Sequence, residues 1–222
     1  MARLGSSPAI DPVQFIRDNT RLIPVRDLPH IMLYTAHEAT GLWRLAASGD
    51  DDAPPPYWAF PWAGGMALAR YIADFPEAIA GRRVLDLGSG SGLVAIAAMK
   101  AGAAATLAAD IDPFGVAAIG LNAAANGVAI TVVSGDITGG AAPAVDIVTV
   151  GDLFYEPALA ERVTAFLDRC ASAGAAVLVG DPGRAYLPEA LLTLLAEFPT
   201  SDVGEVEGPA AKLSRVYSFQ SR

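Results

Sequence analysis

From about residue 57 onward the chain alternates between short apolar runs and longer alanine-rich stretches. The runs at 83–87, 105–110, 130–133, 145–150 and 175–179 predict five strands, and apolar faces on either side of them predict helices at 91–101, 113–126, 156–170 and 187–198. The strand runs carry almost no polar alternation, which suits parallel strands covered on both faces. Alternation of this kind predicts a doubly wound α/β fold. The tail differs. Runs at 202–206 and 212–219, joined through Gly208-Pro209, predict an antiparallel hairpin at the end of the sheet.

The first 56 residues have another texture. Asp11-Pro12 reads as a helix start, with a capping acid followed by proline at the first helical position. Residues 31–34 read as a short strand. The segment Asp50-Asp51-Asp52-Ala53-Pro54-Pro55-Pro56 is a charged, proline-rich break, so the expected organisation is an N-terminal extension over 1–56 and one domain over 57–222. An uncharged run at 113–135 is long enough to test as a membrane span. Asn122, Asn126 and Gly127 interrupt it and its second half is β-branched, so a helix followed by a buried strand is expected instead.

Composition narrows the classes. The 222 residues are 53% hydrophobic, enough for a sizeable core, and the net charge of −9 argues against broad nucleic-acid binding. Cys170 is the single cysteine, which excludes an internal disulfide and a multi-cysteine metal site and makes a reducing, cytoplasmic setting the default. His30 and His37 have no second ligand at useful spacing, so no metal site is expected.

The most informative stretch is Val84-Leu85-Asp86-Leu87-Gly88-Ser89-Gly90-Ser91-Gly92, a strand that runs into alternate glycines before a helix. Glycines allow close backbone approach to a ligand, and a helix N-terminus offers free N–H groups. A doubly wound fold binds nucleotides at this point. The spacing is G-x-G-x-G, with Leu93 where the dinucleotide fingerprint G-x-G-x-x-G needs glycine. Asp86 would repel a pyrophosphate but suits an ammonium group, which favours S-adenosylmethionine. Asp110 ends the next strand and is suited to accept from both ribose hydroxyls, with Asp112 as the alternative. Asp136, followed by Ile137, ends the third strand and is suited to the adenine amino group.

The VLDLGSGSG loop, the DIDP turn and the SGDI segment resemble class I S-adenosylmethionine-dependent methyltransferases. That resemblance implies a seven-stranded, mostly parallel Rossmann-like sheet. It implies cofactor contacts from Asp86, Gly88, Ser89, Gly90, Gly92, Asp110, Asp112, Asp136 and Ile137. Trp62, with Gly64 and Gly65 beside it, is expected to wall the cofactor pocket, whereas Trp58 and Phe60 read as a hydrophobic plug.

After the fourth predicted strand comes Gly151-Asp152-Leu153-Phe154-Tyr155-Glu156. Asp152-x-x-Tyr155 resembles the motif of seven-strand protein-lysine methyltransferases. Together with FIRDNT (Phe15 to Thr20), PYWAFPWAGG (Pro56 to Gly65) and GDPGRAYLP (Gly180 to Pro188), it resembles the family that methylates lysines of the electron transfer flavoprotein β subunit. The resemblance implies a protein substrate, catalytic roles for Asp152 and Tyr155, a cofactor contact at Gly151, and substrate contacts from Phe154, Glu156 and Arg184. In this reading Asp152 holds and aims the amine, while Phe154, Tyr155 and Trp62 form an aromatic wall. Arg184 is expected to bind a carboxylate of the partner, to pair with Glu156, or to stand as an exposed loop arginine. Competing readings are a small-molecule N-methyltransferase of nicotinamide type, a ribosomal protein L11 type methyltransferase, a non-catalytic binding module, and a nicotinamide dehydrogenase.

Overall fold

A computed structural model describes residues 10–37, 42, 55–200 and 212–221. The expected strand at 202–206 lies outside them, as does most of the proline-rich break. The first elements are α1 (Pro12–Asn19), β1 (Arg21–Val25) and β2 (Leu28–Thr35). Asp11 caps α1 by accepting from the Val13 N–H, with proline in the first turn, as the sequence suggests. β1 and β2 pair as a separate antiparallel hairpin, of which only the β2 half was anticipated.

The main sheet contains β3 (Arg83–Leu87), β4 (Ala105–Asp110), β5 (Thr131–Ser134), β6 (Ile147–Gly151), β7 (Ala176–Asp181), β8 (Leu192–Thr200) and β9 (Lys212–Phe219). Its order is β5-β4-β3-β6-β7-β9-β8; β3 to β7 run parallel and β9 runs antiparallel to both neighbours. β3 lies between β4 and β6, so the strand order reverses there and opens a crevice at the carboxyl ends.

Four helices cover the sheet: α2 (Ala63–Asp74), α3 (Leu93–Lys100), α4 (Pro113–Ala125) and α5 (Pro157–Ser172). α2 and α3 pack Leu68, Ile72 and Ile96 onto Val84, Ile147 and Val216. On the other face α5 packs Val163, Phe166 and Leu167 onto Leu85, Val148 and Val177. The run at 113–135 is indeed a helix and a strand, and among the described residues no helix is long and apolar enough to cross a membrane.

Two asparagines one turn apart, Asn122 within α4 and Asn126 at its C-terminal cap, fasten the N-terminal hairpin. Asn126 accepts from the Met32 N–H and donates to the Met32 carbonyl, while Asn122 accepts from the Tyr34 N–H. Asn122 also donates to the carbonyl of Ser91, so the hairpin is tied to the glycine loop itself. Both side chains therefore satisfy an otherwise unpaired strand edge.

The expected helix at 187–198 is wrong. Only Glu189–Leu191 makes a 3-10 turn, and Leu192–Thr200 is an edge strand. Its Leu, Ala and Glu residues favour helix locally, but pairing with β9 from Leu192↔Phe219 to Thr200↔Lys212 overrides that preference. Pro199 is tolerated because the strand is at the edge. α2 holds it there, with the Arg70 guanidinium 5.1 Å from the centre of the Phe198 ring.

Candidate active site

The crevice is a cavity of about 530 Å³ bordered by the glycine loop, the ends of β4 and β6, and the aromatic segment before α2. The loop turns on Gly88, Gly90 and Gly92 at φ of 65°, 53° and 81°. Asp86 is 2% exposed and lines the cavity. It accepts from the hydroxyls of Ser89 and Thr149, and burial lifts its pKa to about 6 against the pull of those bonds. Thr149, a polar residue inside a strand run, was missed in the sequence although it stands out there.

Asp110 binds the glycine loop directly. Its Oδ2 accepts from the Gly90 N–H at 2.7 Å and its Oδ1 from the Asp112 N–H at 2.9 Å. Asp112 caps α4 by accepting from the Phe114 N–H. Burial raises the pKa of both carboxyls. Asp136 accepts from the N–H and the hydroxyl of Thr138, and these bonds hold its pKa below the usual range. All three acids line the cavity, as do Ile137 and Gly151.

Asp152 follows β6 at φ 60°, a left-handed conformation that aspartate tolerates better than most residues. Its Oδ2 accepts from the Gly65 N–H at 2.9 Å, and its Oδ1 accepts from Arg184 Nη2 at 2.6 Å and Nε at 3.2 Å. Burial pushes its pKa up to about 6, opposed by Arg184 and the Gly65 N–H. Arg184 thus meets Asp152, a pairing that none of the sequence alternatives named. Trp62 donates its indole N–H to the Tyr57 carbonyl, and the Tyr57 ring lies 5.7 Å from Trp62 and 5.6 Å from Tyr155. These three aromatics form one cluster at the mouth, next to Asp152.

Comparison with known proteins places this arrangement. The chain is 36% identical over 219 residues to the electron transfer flavoprotein beta subunit lysine methyltransferase of Danio rerio, covering 96% of this chain and 84% of that protein. It is 34% identical to the Homo sapiens protein of the same name, covering 97% of this chain and 86% of the other. The chain belongs to this lysine methyltransferase family. The model of the ribosomal protein L11 methyltransferase family matches only residues 73–176, from the end of α2 to the start of β7. Among solved structures, PH1948 of Pyrococcus horikoshii, named as an RNA methyltransferase candidate, superposes with a TM-score of 0.58. It shares 17% identity and covers 82% of this chain and 98% of that one, a likeness of fold alone.

Within this methyltransferase three residues expected at the site lie outside the cavity lining. Phe154 is fully buried among Val150, Phe166 and Leu167 and does not line the cavity. A left-handed Asp152 reverses the chain, so Leu153 and Tyr155 face the cavity while Phe154 enters the core. Leu153, missed in the sequence, packs against Gly88, where a Cβ would lie 2.7 Å from its methyl carbon. Gly92 faces α4 and not the cavity: a Cβ there would approach Ile119 Cα to 3.3 Å, so this glycine serves helix packing. Glu156 stands exposed at the N-terminus of α5, outside the cavity lining. Trp58 and Phe60 are buried with Ile16 and Ala118, as the plug reading expected, although both also border the cavity.

Proposed function

We propose that this protein methylates a lysine ε-amine of a protein, the electron transfer flavoprotein β subunit, with S-adenosylmethionine as methyl donor. The observation that carries the reading is Asp152, a nearly buried carboxylate beside the Trp62, Tyr57 and Tyr155 rings at the mouth of an acid-lined crevice. The names of the relatives supply the partner. An open mouth supports a protein over a small free amine: Tyr57 is 42% and Tyr155 41% exposed. The single cysteine, buried and unpaired, suits a reducing cytoplasmic setting.

The donor set fits S-adenosylmethionine. Asp86, Asp110, Asp112 and Asp136 would repel a pyrophosphate, whereas an ammonium group, ribose hydroxyls and an adenine amino group are all donors to carboxylates. In this reading Asp86 and the glycine loop hold the amino-acid end, Asp110 the ribose and Asp136 the adenine edge. S-adenosylmethionine supplies an electrophilic methyl on a sulfonium. The chain's own work is to place the amine. A free lysine has a pKa of ~10.4, so the attacking nitrogen must lose a proton first. Asp152 accepts an N–H of the amine and aims its lone pair, and the aromatic rings tolerate the cationic product. Orientation of this kind is worth ~7–11 kcal/mol of a barrier.

The deciding experiment incubates the protein with methyl-labelled S-adenosylmethionine, purified electron transfer flavoprotein and a cell extract, then maps the label by mass spectrometry. Label on lysines of the β subunit is expected. Label confined to small molecules would overturn the reading.

Two predictions follow from the acids. Asp110→Ala weakens S-adenosylmethionine binding by ~10- to 100-fold, the worth of a charge-assisted hydrogen bond. Asp112→Ala chiefly removes the α4 cap, about 1 kcal/mol of stability. Calorimetric titration and thermal melting separate the two. The second concerns pH. With cofactor saturating, so that Asp86 stays ionised, log kcat/KM for the protein substrate rises with unit slope where only lysine titrates. Below about pH 6 protonation of Asp152 removes the acceptor, and the slope approaches two. Asp152→Asn keeps unit slope throughout.

A further inference from the structure

Asp152 is presented to the crevice with both of its oxygens engaged. Oδ2 is held by the Gly65 N–H, and its flank is closed by Gly64, whose added Cβ would lie 2.7 Å from that oxygen. The other oxygen, Oδ1, already carries a cation: Arg184 sits on it with two N–H groups. The guanidinium carbon is 5.9 Å from the centre of the Trp62 ring. A cation on a desolvated carboxylate beside an aromatic face is the arrangement an ammonium substrate needs. The pair is well covered, with side-chain exposures of 20% for Arg184 and 10% for Asp152.

The arginine is held there by its backbone. Asp181 Oδ1 accepts from the N–H groups of Gly183 and Arg184 at 2.7 and 2.6 Å. Two residues on, the Tyr186 N–H donates to the Phe154 carbonyl, which joins this loop to the one that carries Asp152. The guanidinium is therefore tethered to Asp152 at high effective concentration.

We propose that Arg184 is a specificity-determining residue that stands in the place of the target ammonium and so closes the site to small free amines. This rests on the reading of Asp152 as the amine acceptor. A free amine at millimolar concentration competes poorly with a tethered cation, because displacement leaves the buried partner to be compensated by a ligand that gives up its own translational freedom. A lysine on a docked protein has paid that cost across the rest of the interface, and it displaces Arg184 on equal terms.

The test measures binding of n-butylammonium to the full-length protein by calorimetry at mildly alkaline pH, where Asp152 stays ionised even without its arginine and the amine is still a cation; it needs no methyl transfer. Arg184→Met binds it about tenfold or more tighter than the wild type, since the vacated carboxylate is left without its cation. Arg184→Lys stays near the wild type, because an ammonium still occupies Oδ1. In the double variant Asp152→Asn with Arg184→Met the gain disappears. Thermal melting checks that each variant is folded, and Arg184→Gln takes the place of the methionine variant should that one unfold. Equal binding by wild type and the folded neutral variant would overturn the proposal, as would a gain that survives loss of the carboxylate. A wild type that labels no lysine would count against the function proposed above and leave this binding result standing.

Discussion

Asp152→Asn lowers kcat/KM for methyl transfer to the protein substrate by ~10²–10⁴-fold, the range for a positioned acid–base group, and leaves S-adenosylmethionine affinity essentially unchanged. Asparagine is the right replacement. It is among the residues that tolerate φ near 60°, so the turn after β6 survives. Its side-chain carbonyl can still accept from Gly65. What it loses is the negative charge proposed above to draw a cationic amine into a nearly buried site. Both variants break the ion pair with Arg184, but Asp152→Ala is the poorer probe, because it also loses the Gly65 hydrogen bond and tolerates φ near 60° less well than asparagine. Steady-state kinetics with a calorimetric measurement of cofactor binding decide the matter. Full turnover in the asparagine variant would remove Asp152 from the mechanism.

Gly64→Ala has the largest expected effect on stability. Gly64 is in the first turn of α2, where the helix crosses β7 at Gly180. An added Cβ would lie 2.2 Å from the Gly180 carbonyl oxygen. That obstacle is backbone in a central strand and cannot swing aside, so the helix must retreat. Overpacking costs ~1–3 kcal/mol and occasionally more, and this site belongs at the upper end. For a chain of this size the melting temperature falls by roughly 6–12 °C. Turnover falls with it, since the same shift takes the Gly65 N–H from Asp152. Gly65→Ala is the control: its Cβ meets only Val94, at 3.9 Å, and the variant melts near the wild type. Equal melting of the two would show that the α2–β7 contact is not tight.

Much of the parallel half of the sheet was legible along the chain. Residues 83–87 and 105–110 were read with the bounds they have, because buried parallel strands are apolar on both faces and leave an unbroken run. The glycine loop was legible for a similar reason. A strand that turns at once into a helix needs positive φ, and glycine supplies it. Asp86, Asp110 and Asp136 were found because acids at successive strand ends share one crevice in a doubly wound fold. The substrate side was less transparent. Phe154 and Tyr155 are adjacent aromatics with no local sign of which turns inward. The left-handed Asp152 decides it, and that conformation is held by contacts to Gly65, Gly180 and Arg184.

The sequence by itself therefore determined the fold class, the glycine loop and the residue types at the strand ends. Each depends on neighbours a few positions away, through helix and strand periodicity or the freedom of glycine. Tertiary structure alone decided that 192–200 is an edge strand, that two asparagines at the C-terminal end of α4 bind the N-terminal hairpin, and that Arg184 rests on Asp152. These depend on partners between 12 and 94 residues away, and the energies of strand pairing and of a desolvated ion pair exceed the local preferences a sequence reader can see.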